Sequence, residues 1–545
     1  MDVAEAVGRA LAAAGVEQAF GVVGSGNFAV TNAIVAGGAT FVAARHEGGA
    51  ATMADAYART SGQVAAVTVH QGCGLTNALT GITEAAKSRT PLVVVAAEAT
   101  APRSNFYVDQ PALAAAVGAR SMRIDDAATA ADTAVRAVAT ALHERRTVLL
   151  NLPLGVQTEA APDRPAPPLP SAPAPVAPDA ADVRRLADAL QRAERPVFIA
   201  GRGARSDAAR TALESLAEAC GALLATSAVA KGLFRNHPWA LDVSGGFASP
   251  LAAELITGAD LVVGWGTALN MWTTRHGRLI GDDAFLVQVD DDPDALGAHR
   301  EIGLGVVGDV AATAATVSEQ LAGPPRDGYR SDDVGAALAE RGDWLHTAYD
   351  DSGTDERIDP RTLTAALDAM LPAERVVGVD SGNFMGYPSM FLRVPDERGF
   401  CFTQAYQSIG LGLATAIGAA LAQPDRLPVA AVGDGGLLMS AAELETVVRL
   451  RLPMVVIAYD DAAYGAEVHH FGPSGADLET VRFPDTDLAA IARGYGYEAL
   501  TVSRAADLDP VADWLAGPRT SPLLIDAKVT TEQPSWWLEE AFRGH

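Results

Sequence analysis

Short, uninterrupted apolar runs recur along the chain: VAAVTV (64–69), PLVVVAAE (91–98), RPVFIAG (195–201), ADLVVGWG (259–266), RVVGVD (375–380), LPVAAVGDG (427–435) and LPMVVIAYDD (452–461). Between them lie Ala-rich stretches with helical spacing. The first of these sets Val3, Val7, Ala10, Leu11 and Ala14 on one face. Strands that are apolar throughout, rather than on alternate positions, are buried on both faces. Alternated with helices, they predict parallel, doubly wound α/β sheets. Ligands of such sheets sit at the carboxyl ends of the strands, so the residues that close each apolar run carry the candidate chemistry.

The pattern is interrupted twice. EAAPDRPAPPLPSAPAPVAPDA (159–180) is rich in Pro and Ala and reads as an extended linker, and AGPPRDGYRSDD (322–333) is a second polar, Pro/Gly-containing break. They divide the chain into expected domains at 1–158, 181–321 and 355–530, each of a size that holds its own core. No short tandem repeat is present. The first and third blocks share a rhythm of strand, Gly-rich turn and small-residue helix.

Composition narrows the partners. The 545 residues are 49% hydrophobic and carry a net charge of −26. That argues against nucleic acid or an anionic membrane as partner, and leaves room for a small anion in a local pocket. Cys73, Cys220 and Cys401 are far apart and show no metal-ligand spacing, so no disulfide framework is expected. The N-terminal stretch lacks the basic start and long apolar core of a signal peptide. No apolar stretch reaches membrane-spanning length. A cytoplasmic location is expected.

In VAAVGDGGLLMS (429–440) a buried strand ends on Gly433, Asp434, Gly435 and Gly436 with no Lys or Arg beside the carboxylate. The stretch reads either as a turn or as a cation site. In the second reading the glycines leave backbone N–H groups open to an anion, and Asp434 holds Mg²⁺, a hard ion that prefers oxygen ligands and bridges phosphates. Ser440 and Glu443 have the spacing of a capping box for the following helix. Leu444, Val447, Val448 and Leu452 are its predicted buried face. The next apolar run ends at Asp461, 27 residues after Asp434. A strand–helix–parallel strand unit brings those two strand ends side by side, so two carboxylates converge where an anion would also lie.

With these residues the third block resembles the thiamine-diphosphate enzymes of the acetolactate synthase, benzoylformate decarboxylase and pyruvate decarboxylase superfamily. Their signature is Gly-Asp-Gly followed at this distance by a metal-binding Asn. Here that Asn is Asp461, which also binds Mg²⁺ but adds negative charge beside a diphosphate. The resemblance implies Asp434, Asp461 and the Ala463 carbonyl as metal ligands. It also implies Gly433, Gly435, Gly436, Ser381, Gly382, Asn383, Ser408 and Tyr464 around the cofactor, with Ile409 as the apolar prop under its bent form. Glu467, six residues past Asp461, falls where some relatives place a proton-handling Glu.

The resemblance extends to the first block. In FVAARHEGGAATMADAYARTSG (41–62), Glu47 follows an apolar strand and precedes a helix. The residues alone also allow a helix-capping Glu. In the family such a Glu hydrogen-bonds a ring nitrogen of the cofactor's aminopyrimidine and favours the tautomer that activates the thiazolium. His70 and Ser25 match active-site positions of benzoylformate decarboxylase. Gln110 matches an active-site Gln of acetolactate synthases and benzaldehyde lyase. GVVGSGNF (21–28) imitates a dinucleotide-binding loop, but no acidic ribose partner follows. The middle block resembles the family's central domain. NMWTTRHGRL (270–279) replaces the segment typical of FAD-binding synthases, so FAD is not expected. Trp536 and Trp537 are expected at the site mouth or in a subunit contact.

The resemblance thus implies three doubly wound domains: pyrimidine-binding, central and diphosphate-binding. Thiamine diphosphate and Mg²⁺ would lie between the first domain of one subunit and the third of another, in a homodimer or homotetramer. The expected activity is an acetolactate synthase-like carboligase acting on a 2-oxo acid. A non-oxidative decarboxylase, an FAD-dependent oxidase and a non-enzymatic nucleotide-binding protein are the alternatives.

Overall fold

The computed structural model describes residues 1–321, 323–531 and 535–538. Among these residues there are three six-stranded sheets, each wholly parallel. The first contains β1 (Gln18–Gly21), β2 (Thr40–Ala43), β3 (Ala65–Val69), β4 (Leu92–Glu98), β5 (Arg120–Arg123) and β6 (Thr147–Pro153), in the order β2-β1-β3-β4-β6-β5. The second contains β7 (Pro196–Ala200), β8 (Leu223–Thr226), β9 (Ala240–Val243), β10 (Leu261–Trp265), β11 (Phe285–Asp290) and β12 (Leu304–Val307), ordered β12-β11-β10-β7-β8-β9. The third contains β13 (Arg375–Val379), β14 (Phe400–Phe402), β15 (Leu427–Gly433), β16 (Val455–Asp460), β17 (Glu498–Val502) and β18 (Leu523–Lys528), ordered β14-β13-β15-β16-β18-β17.

Counted within each domain, the first and third sheets have the same strand order, 2-1-3-4-6-5, and the middle one has the dinucleotide-fold order 3-2-1-4-5-6. The shared rhythm in the sequence is therefore a shared topology. The apolar runs are buried over their whole length in β3, β7, β10, β13 and β16, as continuous hydrophobicity requires of a sheet covered on both faces. The N-terminal helix Val3–Ala13 buries Val3, Val7, Ala10 and Leu11, with Ala14 as its C-cap. Residues 162–178 of the Pro-rich linker carry no helix or strand.

One apolar core joins the first and third domains. Met53, Ala54 and Leu75 pack with Leu413, Ile417, Leu437 and Leu444. Helix Glu47–Ser61 lies along helix Gly412–Ala422 so closely that a Cβ on Gly418 would stand 2.1 Å from the Met53 carbonyl. A buried ion network also crosses the domains. Arg59 pairs with Asp55 (2.8 Å) and Glu84 (2.7 Å) and donates to the Phe402 carbonyl (3.0 Å). Glu84 accepts from the backbone N–H groups of Ala405 and Tyr406, and Arg205 of the central domain reaches the carbonyls of Arg59 and Glu397.

Local expectations for the segment after Asp434 change. Ser440 and Glu443 do not form a capping box. The chain breaks into helices Asp434–Met439 and Glu443–Arg449, the Ser440 hydroxyl donates back to the Gly436 carbonyl, and Glu443 turns toward the first domain. Leu452 then lies beyond the helix end. Helix Gly412–Ala422 begins two residues after Gly410, which adopts φ +87° just after Ile409. Trp537 is buried in the core against Gly386, while Trp536 stacks on Trp344 and donates to the Gly246 carbonyl. These side chains fasten the C-terminal segment to the central and third domains, with Trp537 Nε1 donating to the Asn383 carbonyl (3.1 Å). Among the described residues no helix is long and apolar enough to cross a membrane.

Candidate active site

At the carboxyl ends of β13, β15 and β16 lies a cavity of about 480 Å³. Its walls include Ser381, Gly382, Asn383, Ile409, Gly433, Asp434, Gly435, Gly436, Asp461, Ala463, Tyr464 and Glu467. Ser408 does not line it. That side chain donates to the carbonyl of Ile409 instead. The placement follows from register. Gly433 of β15 is paired with Tyr459 of β16, so Asp434 and Asp461 leave neighbouring strand ends. The glycines are steric necessities here. A Cβ on Gly465 would meet the Asp461 carboxylate at 2.2 Å, and one on Gly435 would meet the Tyr464 ring at 3.1 Å.

The two carboxylates are charged at a cost. Burial, then the neighbouring Asp460, pushes Asp434 up to about 7, and burial, then Asp434, pushes Asp461 up to about 8. Asp434 thus disfavours the ionised form of Asp461, as Asp460 does that of Asp434, and a cation at this strand end would relieve the crowding. Among the described residues no three His, Cys, Asp or Glu side chains converge as a metal cage. The pair is a half-cage of hard oxygen donors that suits Mg²⁺ only with further oxygens from a carbonyl, a phosphate or water. This donor set and the glycine cradle fit a magnesium-bound diphosphate.

Two supports of this wall were not legible in the sequence. Asp380, fully buried, accepts backbone N–H groups of Ser381 (2.8 Å), Gly410 (3.0 Å) and Leu411 (3.1 Å), and so pins Ile409 from the residue that follows it. Burial pushes its carboxyl up to about 6 against those hydrogen bonds. Asp460 pairs with Lys528 and accepts from Ala462 N–H (3.0 Å), holding the turn that carries Asp461 and Ala463, where Ala462 has φ +53°. An acid immediately after or ending a buried strand was the available signal in both cases.

The first-domain residues gather at a second place, the carboxyl ends of β1, β3 and β4. Glu47, half-buried at the start of its helix, accepts from Asn77 Nδ2 at 3.0 Å. His70 Nδ1 is 3.0 Å from the Gln71 carbonyl. A carbonyl only accepts, so Nδ1 carries the proton and Nε2, 3.4 Å from Ser25 Oγ, presents a lone pair. A Cβ on Gly74 would lie 3.1 Å from His70 Cβ and 3.4 Å from Glu47 Oε1, which places these side chains around one turn. Gln110 is 1% exposed and its Nε2 donates to the Ala97 carbonyl (2.8 Å), leaving Oε1 buried without a partner. The Gln71 amide oxygen is unpartnered in the same way, over Gly26. Asn77, the partner of Glu47, also escaped the sequence reading, because only the packing of two helices brings it there.

The two groups do not share one pocket within a chain. No residue before Trp272 lines the third-domain cavity. Each group is bordered by exposed apolar side chains: Val23, Phe28 (59%), Phe106 and Tyr107 on the first domain, and Leu438, Met439 (56%) and Phe471 on the third.

This arrangement, with two copies of one topology presenting a carboxylate–glycine cradle and a lone Glu, defines a class. Family profiles described as "Thiamine pyrophosphate enzyme, N-terminal TPP binding domain", "central domain" and "C-terminal TPP binding domain" match residues 1–119, 183–317 and 380–527. The chain belongs to the thiamine-pyrophosphate-dependent enzymes. Among its relatives is the protein named "Sulfoacetaldehyde acetyltransferase" of Castellaniella defragrans, 29% identical over 94% of this chain and 90% of that protein. The "Probable 2-ketoarginine decarboxylase" of Pseudomonas aeruginosa is 30% identical over 93% of this chain and 89% of its own length. The "Probable acetolactate synthase large subunit" of Methanocaldococcus jannaschii is 24% identical over 91% and 86%.

Proposed function

We propose that the protein is a thiamine-diphosphate- and Mg²⁺-dependent enzyme that decarboxylates a 2-oxo acid and joins the remaining fragment to a second carbonyl compound. The observation that carries this reading is the desolvated Asp434–Asp461 pair in a glycine cradle. It is a site built for a cation that an anionic ligand completes. When bound, thiamine diphosphate supplies a thiazolium that takes up the electrons released as carbon dioxide leaves.

The chain's residues supply the rest. Asp434, Asp461 and the Ala463 carbonyl would hold the cation, Ile409 would give the cofactor an apolar wall, and Ser381, Gly382 and Asn383 would border its diphosphate end. Glu47 would share a proton with a ring nitrogen of the pyrimidine through the oxygen that Asn77 does not engage. His70 Nε2 accepts or returns a proton at the substrate side, where Ser25 stands beside it. Gln110, buried and bonded to Ala97, supports that wall. A site of this composition needs a second copy of the chain, since Glu47 and the cavity are apart in one copy. The exposed apolar rims favour a homodimer or a homotetramer in the cytoplasm.

A second reading, a non-oxidative decarboxylase releasing an aldehyde, is favoured by Glu467, a protonatable group inside the cavity, and by His70. No observation favours FAD. The test is a panel of 2-oxo acids and sulfoacetaldehyde, supplied with thiamine diphosphate, Mg²⁺ and carbonyl acceptors, following carbon dioxide and products. Coupled 2-hydroxy ketones support the carboligase. Free aldehyde irrespective of acceptor supports the decarboxylase, and no turnover with any donor contradicts both.

A further inference from the structure

Glu443 is 2% exposed and belongs to no part of the cavity. From the third domain it crosses to the first. Its Oε1 accepts the backbone N–H groups of Arg45 (3.0 Å) and His46 (3.1 Å), and Oε2 is held by the Thr446 hydroxyl (2.6 Å). Those two amides immediately precede Glu47. The same helix, Glu443–Arg449, also binds the Ala43 carbonyl through Arg449. The turn between β2 and the Glu47 helix is therefore gripped at three backbone groups by a neighbouring domain. Gly49 makes the approach possible, because a Cβ there would stand 2.5 Å from Glu443 Oε1.

We propose that Glu443 is a positioning residue for Glu47. Its carboxylate fixes the Arg45–His46 backbone and thereby sets where the Glu47 side chain stands. The inference rests on the reading that Glu47 acts on the cofactor. Adhesion between the domains is already supplied by apolar contacts and by the Arg59–Glu84 network; what Glu443 adds is local, since its loss leaves unsatisfied the two N–H groups that precede Glu47. One stretch of chain, 433–449, thus carries a cation-facing carboxylate at its start and the brace of Glu47 nearer its end. If Glu47 serves the cofactor held by the partner chain, this stretch ties the geometry of one site to that of the other.

The test combines hydrogen exchange of peptides covering 43–50 in the cofactor-free chain with kinetics of the loaded enzyme. Glu443→Ala should raise exchange there more than about tenfold and lower kcat more than about tenfold, with KM within about threefold of wild type. Glu443→Gln keeps an acceptor for both amides and can donate to Thr446. It should stay within about threefold of wild type in both readouts. Gly49→Ala, which pushes the carboxylate aside without removing it, should resemble Glu443→Ala and serves in its place if that variant does not fold. Glu445→Ala removes the side-chain ion pairs to Arg45 and Arg449 but none of the contacts of Glu443, and should leave exchange and turnover within about threefold of wild type. Unchanged exchange in Glu443→Ala, a Glu443→Gln as impaired as the alanine variant, or a Glu445→Ala that matches it would overturn the proposal. Exchange that responds in a wild type indifferent to thiamine diphosphate overturns the role of Glu47. Exchange that does not respond in a wild type that turns over overturns the brace alone.

Discussion

The first and third domains wind their strands in the same order, yet their carboxyl ends are opposite in character. The third-domain end is charged at a cost, with Asp434 pushed up by burial and by Asp460, Asp461 by burial and by Asp434, and with backbone walls held by Asp380 and Asp460. The first-domain end is shallow. Glu47 is half-buried, has a single side-chain partner in Asn77, and stands beside a histidine of defined tautomer. One topology therefore gives a strand-end crevice in both places, and the residues at the strand ends decide what it can do. On our proposal, crowded carboxylates equip one to bind a cation and an anion together, and a half-buried carboxylate with one hydrogen-bond partner equips the other to exchange a proton.

The comparison predicts different failures for the two ends. The largest effect belongs to Glu47→Gln, which keeps the shape and removes the proton. Turnover should fall by about a thousandfold, while thiamine diphosphate affinity, followed by calorimetry, changes little. Asp434→Ala should do the reverse in kind. Cofactor affinity in Mg²⁺ should weaken by about a hundredfold, with calorimetry against Mg²⁺ concentration as the check.

Asp380 sharpens the contrast through pH. Its folded carboxyl sits near 6 against 3.8 when unfolded, so the stability it contributes is full below 3.8 and is lost as pH rises through 6. In urea unfolding, wild-type stability relative to Asp380→Asn should fall by about 2–3 kcal/mol between those values. A flat difference would mean that the charge is accommodated without cost. The smallest effect is expected from Asn77→Ala. Losing one hydrogen bond to Glu47 should lower kcat by about tenfold, with no change in cofactor affinity.

The three-layered α/β fold was legible because its strands are apolar end to end and its helices are marked by small-residue periodicity. Both are local signals. The convergence of Asp434 and Asp461 followed from one topological rule applied to two strand ends. What stayed hidden depends on contacts between distant segments. Asp380 matters through amides 30 and 31 residues away, Asn77 through the packing of two helices, and Glu443 through a turn nearly four hundred residues earlier. Glu443 even carried a misleading local signal, since its spacing from Ser440 imitates a capping box while tertiary packing gives the carboxylate other amides to serve. Gln110 shows the same limit, because burial commits its amide nitrogen to Ala97.

The central claim is that the carboxylate cradle of one chain and Glu47 of another complete a single site. Mixing Glu47→Gln with Asp434→Ala under conditions that allow subunit exchange tests it most directly, because a hybrid dimer then contains one site with both native groups. The account predicts that two inactive preparations regain about a quarter of wild-type turnover, as random pairing of two chains dictates. A mixture of confirmed hybrid dimers that stays as inactive as its parents, beside an active wild type, would contradict it.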